Sequence, residues 1–204
     1  GAVPIVRLLR ESLAAARLDR LMGILNGTTN YMLSAMAADG SSYGDALASA
    51  QRLGYAEPDP TEDVEGIDAA AKLAILAGIA FGTTVELDAV STTGITGITA
   101  ADIANAHVLG TRIRLVGRAE RISSSSAAGS GPMLALDVTP MLVPESHPLA
   151  SISGATNAVL VDGAPFGRIV IQGPGAGGPE TASALAGDLV SVLGSTPSFL
   201  ANDP

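Results

Sequence analysis

A chain of 204 residues, 47% hydrophobic but only 15% charged and 3% aromatic, can bury a substantial core as one large domain or one and a half. Its net charge of -9 and pI near 4.5 argue against nucleic acid and against an anionic membrane surface, since both require clustered Lys and Arg. With no cysteine there can be no disulfide framework, no thiolate metal site and no cysteine nucleophile. The two histidines, His107 and His147, belong to no ligand motif, so each reads as a surface or cap residue and no metal is expected.

Pro4 with Ile5, Leu8, Leu9 and Leu13 has helical spacing, with the proline near the first turn. Arg7, Arg10 and Glu11 interrupt that apolar segment early, so no secretory leader is expected. Arg20–Asn26 is a short apolar run that predicts a buried strand, after which Thr28 or Thr29 can cap a helix through Tyr31, Met32, Leu33 and Met36 to Gly40. Tyr43–Leu53 reads as a short helix stopped by Gly54. The two prolines of Tyr55–Pro60 then impose a rigid, extended loop. A long helix, capped by Thr61 or Asp63, follows to Gly82. Its apolar part, Ala69–Phe81, is shorter than the ~20 residues a membrane span needs. The chain reads as soluble and cytoplasmic.

Thr99 caps the next helix, with Gly110 as its stop. Arg112–Ile122 opens with charged and apolar residues alternating, the pattern of a half-buried strand. Ser123–Gly131 is a Ser/Ala/Gly stretch expected to form a mobile hairpin tip. Met133–Val138, Asn157–Val161 and Phe166–Gln172 read as further strands, with Asp162-Gly163 a turn signal between the last two. Glycines 173, 175, 177 and 178 then open a final helix, Pro179–Leu193. The whole predicts an α+β domain: a mixed β-sheet covered on one face by helices.

The chemistry concentrates in GYAEPDPTEDVEGIDAAAKLAIL, residues 54–76. Ten of the eleven cations are arginine, and the single lysine, Lys72, is the only charged residue from Ala69 through Val85. Guanidinium stays protonated, whereas an ammonium can give up a proton when partly desolvated. A helix apolar on all sides is buried, so a nearly dry setting is expected for Lys72. Asp68 lies four residues earlier, acid first, the favourable order on a helix face. Glu65, a turn before Asp68, faces a similar way, and Glu57 lies on the rigid loop ahead of the helix. Two readings stand side by side: a structural ion pair that orients a core helix, or a proton donor beside carboxylates that bind an ammonium or hydroxyl group. Gly173, Gly175 and Gly178 fit G-x-G-x-x-G, but only 26 residues follow Gly178, too few for the rest of a βαβ unit. They read either as an element closing one side of a cofactor cleft or as a tight strand-to-helix turn.

Residues 54–76 resemble the signature of the homoserine dehydrogenase family, G-Y-x-E-x-D-P-x-x-D-x-x-G-x-D-x-x-x-K. GILNGTTNYML (23–33) and GPGAGGPETASALAGDL (173–189) are similar to two further family stretches, in family order across nearly the whole chain. The resemblance implies NAD(P)-dependent interconversion of L-aspartate 4-semialdehyde and L-homoserine, on the route to threonine, isoleucine and methionine. It implies Lys72 as proton donor to the carbonyl oxygen, Asp68 and Glu57 as substrate-holding residues, and Thr28, Tyr55 and Asp63 lining the same region. By the same resemblance, Gly54, Gly175 and Gly177 are expected near the cofactor. The resemblance further implies that residues 1–172 form the substrate-binding and dimerisation domain, with the sheet face pairing two copies, and that residues 173–204 return to a dinucleotide-binding domain. That domain, a second lysine and a monovalent-cation loop belong, in this family, to a segment preceding residue 1. The piece alone is therefore expected not to turn over. Two rivals are a related semialdehyde oxidoreductase, which would need a cysteine to acylate its substrate, and a non-catalytic dimerisation module.

Overall fold

The computed structural model describes residues 2–122 and 133–194. A six-stranded sheet organises it, in the order β2-β4-β3-β1-β5-β6. The strands are β1 (Arg17–Ile24), β2 (Ser91–Thr92), β3 (Thr111–Ile122), β4 (Met133–Pro144), β5 (Thr156–Ala164) and β6 (Gly167–Pro174). All neighbours pair antiparallel except β2 with β4, so the sheet is mixed only through a two-residue strand that periodicity gave no reason to expect. The helices are α1 (Ile5–Arg7, continued by a π-helix over Leu8–Ser12), α2 (Gly27–Asp39), α3 (Tyr43–Arg52), α4 (Thr61–Val64), α5 (Ile67–Phe81), α6 (Ala100–Val108) and α7 (Gly178–Gly194).

The central strand β1 sends alternate residues to opposite faces. Leu21 joins Met32, Leu33, Met36, Leu73, Ala77, Leu115, Ala119, Val138 and Val161 in the main core under the helices. Gly117, paired with Gly23, is what lets α5 sit close: a side chain there would run into Leu25 and Leu73. Met22, Ile24, Val116, Ala158 and Leu160 point the other way, into a smaller cluster completed by Leu149, Ala150 and Ile152 around a 3-10 turn at Pro148–Ser151. The opposite face is thus partly covered by one turn. By strand alternation it also carries two charge clusters: Arg118 on Asp137 at 2.8 Å, and Asp162 held by Arg20 at 2.7 Å and Arg168 at 2.6 Å. Arg114 is buried there, donating to the Ala150 carbonyl, and burial beside Arg112 pushes its guanidinium down to about 10.

Several expectations need correction. The cap of α2 is Asn26, whose side chain accepts from the Thr29 N–H, rather than either threonine. The long helix predicted from Thr61 to Gly82 is two helices, broken at Gly66, which sits in the left-handed region at φ 81°. The break is tertiary in origin: the Ile95 N–H donates to the Val64 carbonyl at 2.7 Å, and Gly94 packs so tightly on Val64 and Glu65 that any side chain would collide with their backbone. Asp162 and Gly163 lie within β5, and the turn falls at Pro165 and Phe166. The segment Ser123–Gly131 lies outside the described residues. His147 is a cap, its Nδ1 accepting from the Leu149 N–H, and His107 is exposed. Among the described residues no helix is long and apolar enough to cross a membrane.

Candidate active site

A cleft of about 650 Å³ opens where the β1–α2 corner, the 54–63 segment, the first turns of α5 and the β6–α7 turn meet. Thr28, Gly54, Tyr55, Glu57, Asp63, Asp68, Lys72 and Gly175 all line it. Of the residues singled out from sequence, Gly177 is not among the lining residues; it stands just beyond Gly175 and Ala176 with φ 138°. Glu65, in the break between α4 and α5, does not line the cleft either.

Lys72 Nζ donates to Asp68 Oδ2 at 2.6 Å and to the Leu25 carbonyl at 3.3 Å. The i,i+4 pair forms because both residues share the outer face of α5, while Leu73, Leu76 and Ala77 face the core. The nearly dry setting expected for Lys72 is not what folds. Its side chain is 50% exposed and that of Asp68 29%, because α5 is not buried all round: Ile75 and Ile67 also face outward. The ammonium therefore stands on a cleft wall, fixed by two acceptors and open on its remaining side.

The acidic loop is pinned from behind. Gly54, at φ 76°, reverses the chain after α3, and the N–H groups of Tyr55 and Ala56 donate to the Ala50 carbonyl. Gln51 Nε2 donates to the carbonyls of Glu57 and Pro58 at 3.1 and 3.3 Å. Thr28 Oγ1 donates to the Tyr55 carbonyl at 2.5 Å, and the Tyr55 ring rests against Tyr31 with centroids 4.9 Å apart. Asp59 accepts from the Thr61 N–H and hydroxyl, starting α4; these bonds hold its carboxyl below the usual aspartate range.

Sequence reasoning missed four polar contributors. Asp59 and Glu62 line the cleft, giving five carboxylates against one ammonium. Asn26, 4% exposed, donates from Nδ2 to Asp63 Oδ1 at 2.6 Å and to Asp68 Oδ2 at 2.9 Å. Asn157, at the start of β5, lies against Gly175, and its buried Oδ1 has no hydrogen-bond partner. An asparagine directly before Gly-Thr-Thr is a recognisable cap signal, whereas nothing local marks Asn157.

The arrangement favours a small ligand bearing an ammonium group, with a single cationic side chain, Lys72, beside it. The family model for homoserine dehydrogenase matches residues 4–190. Homoserine dehydrogenases of Mycobacterium leprae and Corynebacterium glutamicum are 55% and 49% identical over 190 residues, 93% of this chain and 42% of each relative. The crystal structure of a homoserine dehydrogenase from Thiobacillus denitrificans superposes with a TM-score of 0.88 at 47% identity, over 94% of this chain and 43% of that one. A hyperthermophilic archaeal homoserine dehydrogenase mutant in complex with NADPH gives 0.75 at 28% identity, over 98% and 55%. The chain thus spans less than half the length of the curated relatives it matches. From these matches, this chain belongs to the homoserine dehydrogenase family.

Proposed function

We propose that these residues form the substrate-binding part of an NAD(P)-dependent homoserine dehydrogenase, interconverting L-aspartate 4-semialdehyde and L-homoserine. The observation that carries the reading is the Lys72–Asp68 pair, fixed at 2.6 Å on the wall of a cleft whose other charged groups are all carboxylates. Carboxylates attract the α-ammonium of the substrate, and Glu57 and Asp68 are placed to hold it, with Thr28, Tyr55 and Asp63 shaping the surroundings. The aldehyde oxygen then falls to Lys72, the one cation among the described lining residues.

The coenzyme, when bound, supplies a hydride to the aldehyde carbon. As the carbonyl π-bond breaks, its electron pair moves to oxygen, and the Lys72 ammonium stabilises that charge and passes a proton to it, giving the alcohol. The reverse reaction uses the same groups, with the neutral amine accepting the hydroxyl proton. The lining at Gly54, Gly175 and Ala176 carries no charged side chain, and a side chain at Gly175 would displace the Asn157 amide. These residues fit the nicotinamide end of a coenzyme, with Gly177 shaping the turn that presents them. Five carboxylates and no lining arginine do not fit its phosphates, which supports a dinucleotide-binding domain outside these residues. The exposed apolar side of α7, with Leu185, Leu189 and Val190 each more than 60% exposed, supports the division in which residues from 173 onward pack against such a domain.

The test is Lys72→Ala in the full-length protein. Turnover of aspartate semialdehyde with NADPH is expected to fall by roughly 10²- to 10⁴-fold, the usual worth of a positioned general acid. Lys72→Arg should not restore it, since a guanidinium keeps the charge but does not give up its proton. Activity within a factor of two of the parent in either variant would leave the ion pair a purely structural one.

A further inference from the structure

We propose that Asn26 is a positioning residue of this site, a neutral double donor that fixes two carboxylates and, through Asp68, the ammonium of Lys72. The proposal rests on the role given to Lys72 above.

Asn26 sits at the corner between β1 and α2 and is almost fully buried. Its amide orientation is dictated by chemistry. The Thr29 N–H at the start of α2 needs an acceptor, and Asn26 Oδ1 supplies it at 2.9 Å while also accepting from the Thr29 hydroxyl at 3.0 Å. The amide nitrogen must then face away from α2. Its two N–H groups go to Asp63 Oδ1 on α4 and Asp68 Oδ2 on α5, so both donors are used. Asp68 Oδ2 is also the atom that receives Lys72 Nζ, and Lys72 donates in addition to the carbonyl of Leu25, the residue before Asn26. One backbone corner therefore sets both ends of the ion pair.

A cap alone does not require asparagine. Serine, threonine or aspartate would accept from Thr29 equally well. What those residues lack is a pair of donors carrying no charge. Two carboxylates on separate helices repel, and a lysine or arginine between them would neutralise the acidity that draws an ammonium ligand. An amide offsets the repulsion without adding a charge. The other charged groups lining the cleft are Glu57, Asp59 and Glu62, all acidic, so no second cation there takes over that role.

Asn26→Asp separates the two roles, because it is isosteric and still caps α2 but turns an oxygen towards Asp63 and Asp68. In the full-length protein, kcat at neutral pH is expected to fall by about 10- to 100-fold, the range for a small displacement of a reacting group. It should recover in part as pH is lowered, because the new carboxyl, once protonated, donates again; the parent should show no such rise. Asn26→Ser keeps the cap and loses one donor, so its kcat should fall without recovery at low pH. Circular dichroism and thermal unfolding of both variants accompany the rates. The proposal is overturned if either variant keeps kcat within a factor of two of the parent. It is equally overturned if the losses are pH-independent and track loss of folded protein in both, which is the behaviour of a cap and nothing more. Lys72→Ala measured alongside tells the two failures apart: if it too leaves turnover intact, the role of Lys72 falls first and that of Asn26 with it.

Discussion

At the scale of single residues, charge placement separates two jobs. Around Lys72 the acids outnumber the cation, which suits a ligand that brings its own positive charge. On the far side of the sheet the arrangement is reversed: Asp162, on β5, is clamped between Arg168 and Arg20. The hydrogen bond from Arg168, with help from Arg20, holds its carboxyl below the ordinary aspartate value of about 3.9, and burial only partly opposes that. A carboxyl whose folded value is depressed contributes stability above the unfolded value and loses it as pH falls through the folded one. Asp162→Asn is therefore expected to lower the urea midpoint at neutral pH and to flatten the fall in stability between about pH 5 and pH 2. Chemical denaturation across that range checks it. An unchanged acid limb would mean that the clamp adds nothing to folding.

At the scale of elements, the break between α4 and α5 decides where the acids point. A continuous helix from Thr61 would place Asp63 and Asp68 on a fixed helical spacing. Breaking it at Gly66 lets the two carboxylates meet one amide from opposite sides. Gly66→Ala forces a side chain into the left-handed region and against Thr92 and Val138, each within 3.4 Å of the added carbon. It should cost about 1–2 kcal/mol of stability, and it should lower turnover of the full-length protein more than its small size suggests. Thermal unfolding and kinetics on the same preparation test both parts. The break could not be read from sequence, because a glycine within a helical pattern is usually tolerated and the cause lies some thirty residues on, at Gly94 and Ile95. The turn misplaced at Asp162-Gly163 has a similar origin. Asp-Gly is a fair local turn signal, but pairing of Asp162 with Arg168 and Gly163 with Gly167 carries both into the strand. By contrast, α6 ran as expected from its Thr99 cap, where Asp102 completes a capping box.

At the scale of the whole molecule, the helices occupy one side of the sheet and leave the other mostly to β-strand side chains and a single turn. We propose that two copies meet through that face, with β3 and β4 among the strands that form the contact. Size-exclusion chromatography with light scattering should then give twice the 20.3 kDa mass of the chain, and a monomeric mass would rule the pairing out. These 204 residues by themselves should bind NADPH weakly and not reduce aspartate semialdehyde, since among the described residues five carboxylates and no arginine line the cleft; normal rates would overturn this division of labour. What the sequence by itself determined was everything that depends on near neighbours: the i,i+4 pairing of Asp68 with Lys72, the proline-stiffened acidic loop, most helix and strand periods, and the order of three family motifs. Only the tertiary structure decided that Lys72 is half-exposed rather than dry, that Asp63 and Asp68 converge on an asparagine some forty residues away, and that Asn157 closes on Gly175. The reason is physical. Helical spacing and capping are fixed by bonds across a few residues, whereas exposure and convergence depend on which distant segments pack together, and no local pattern encodes that.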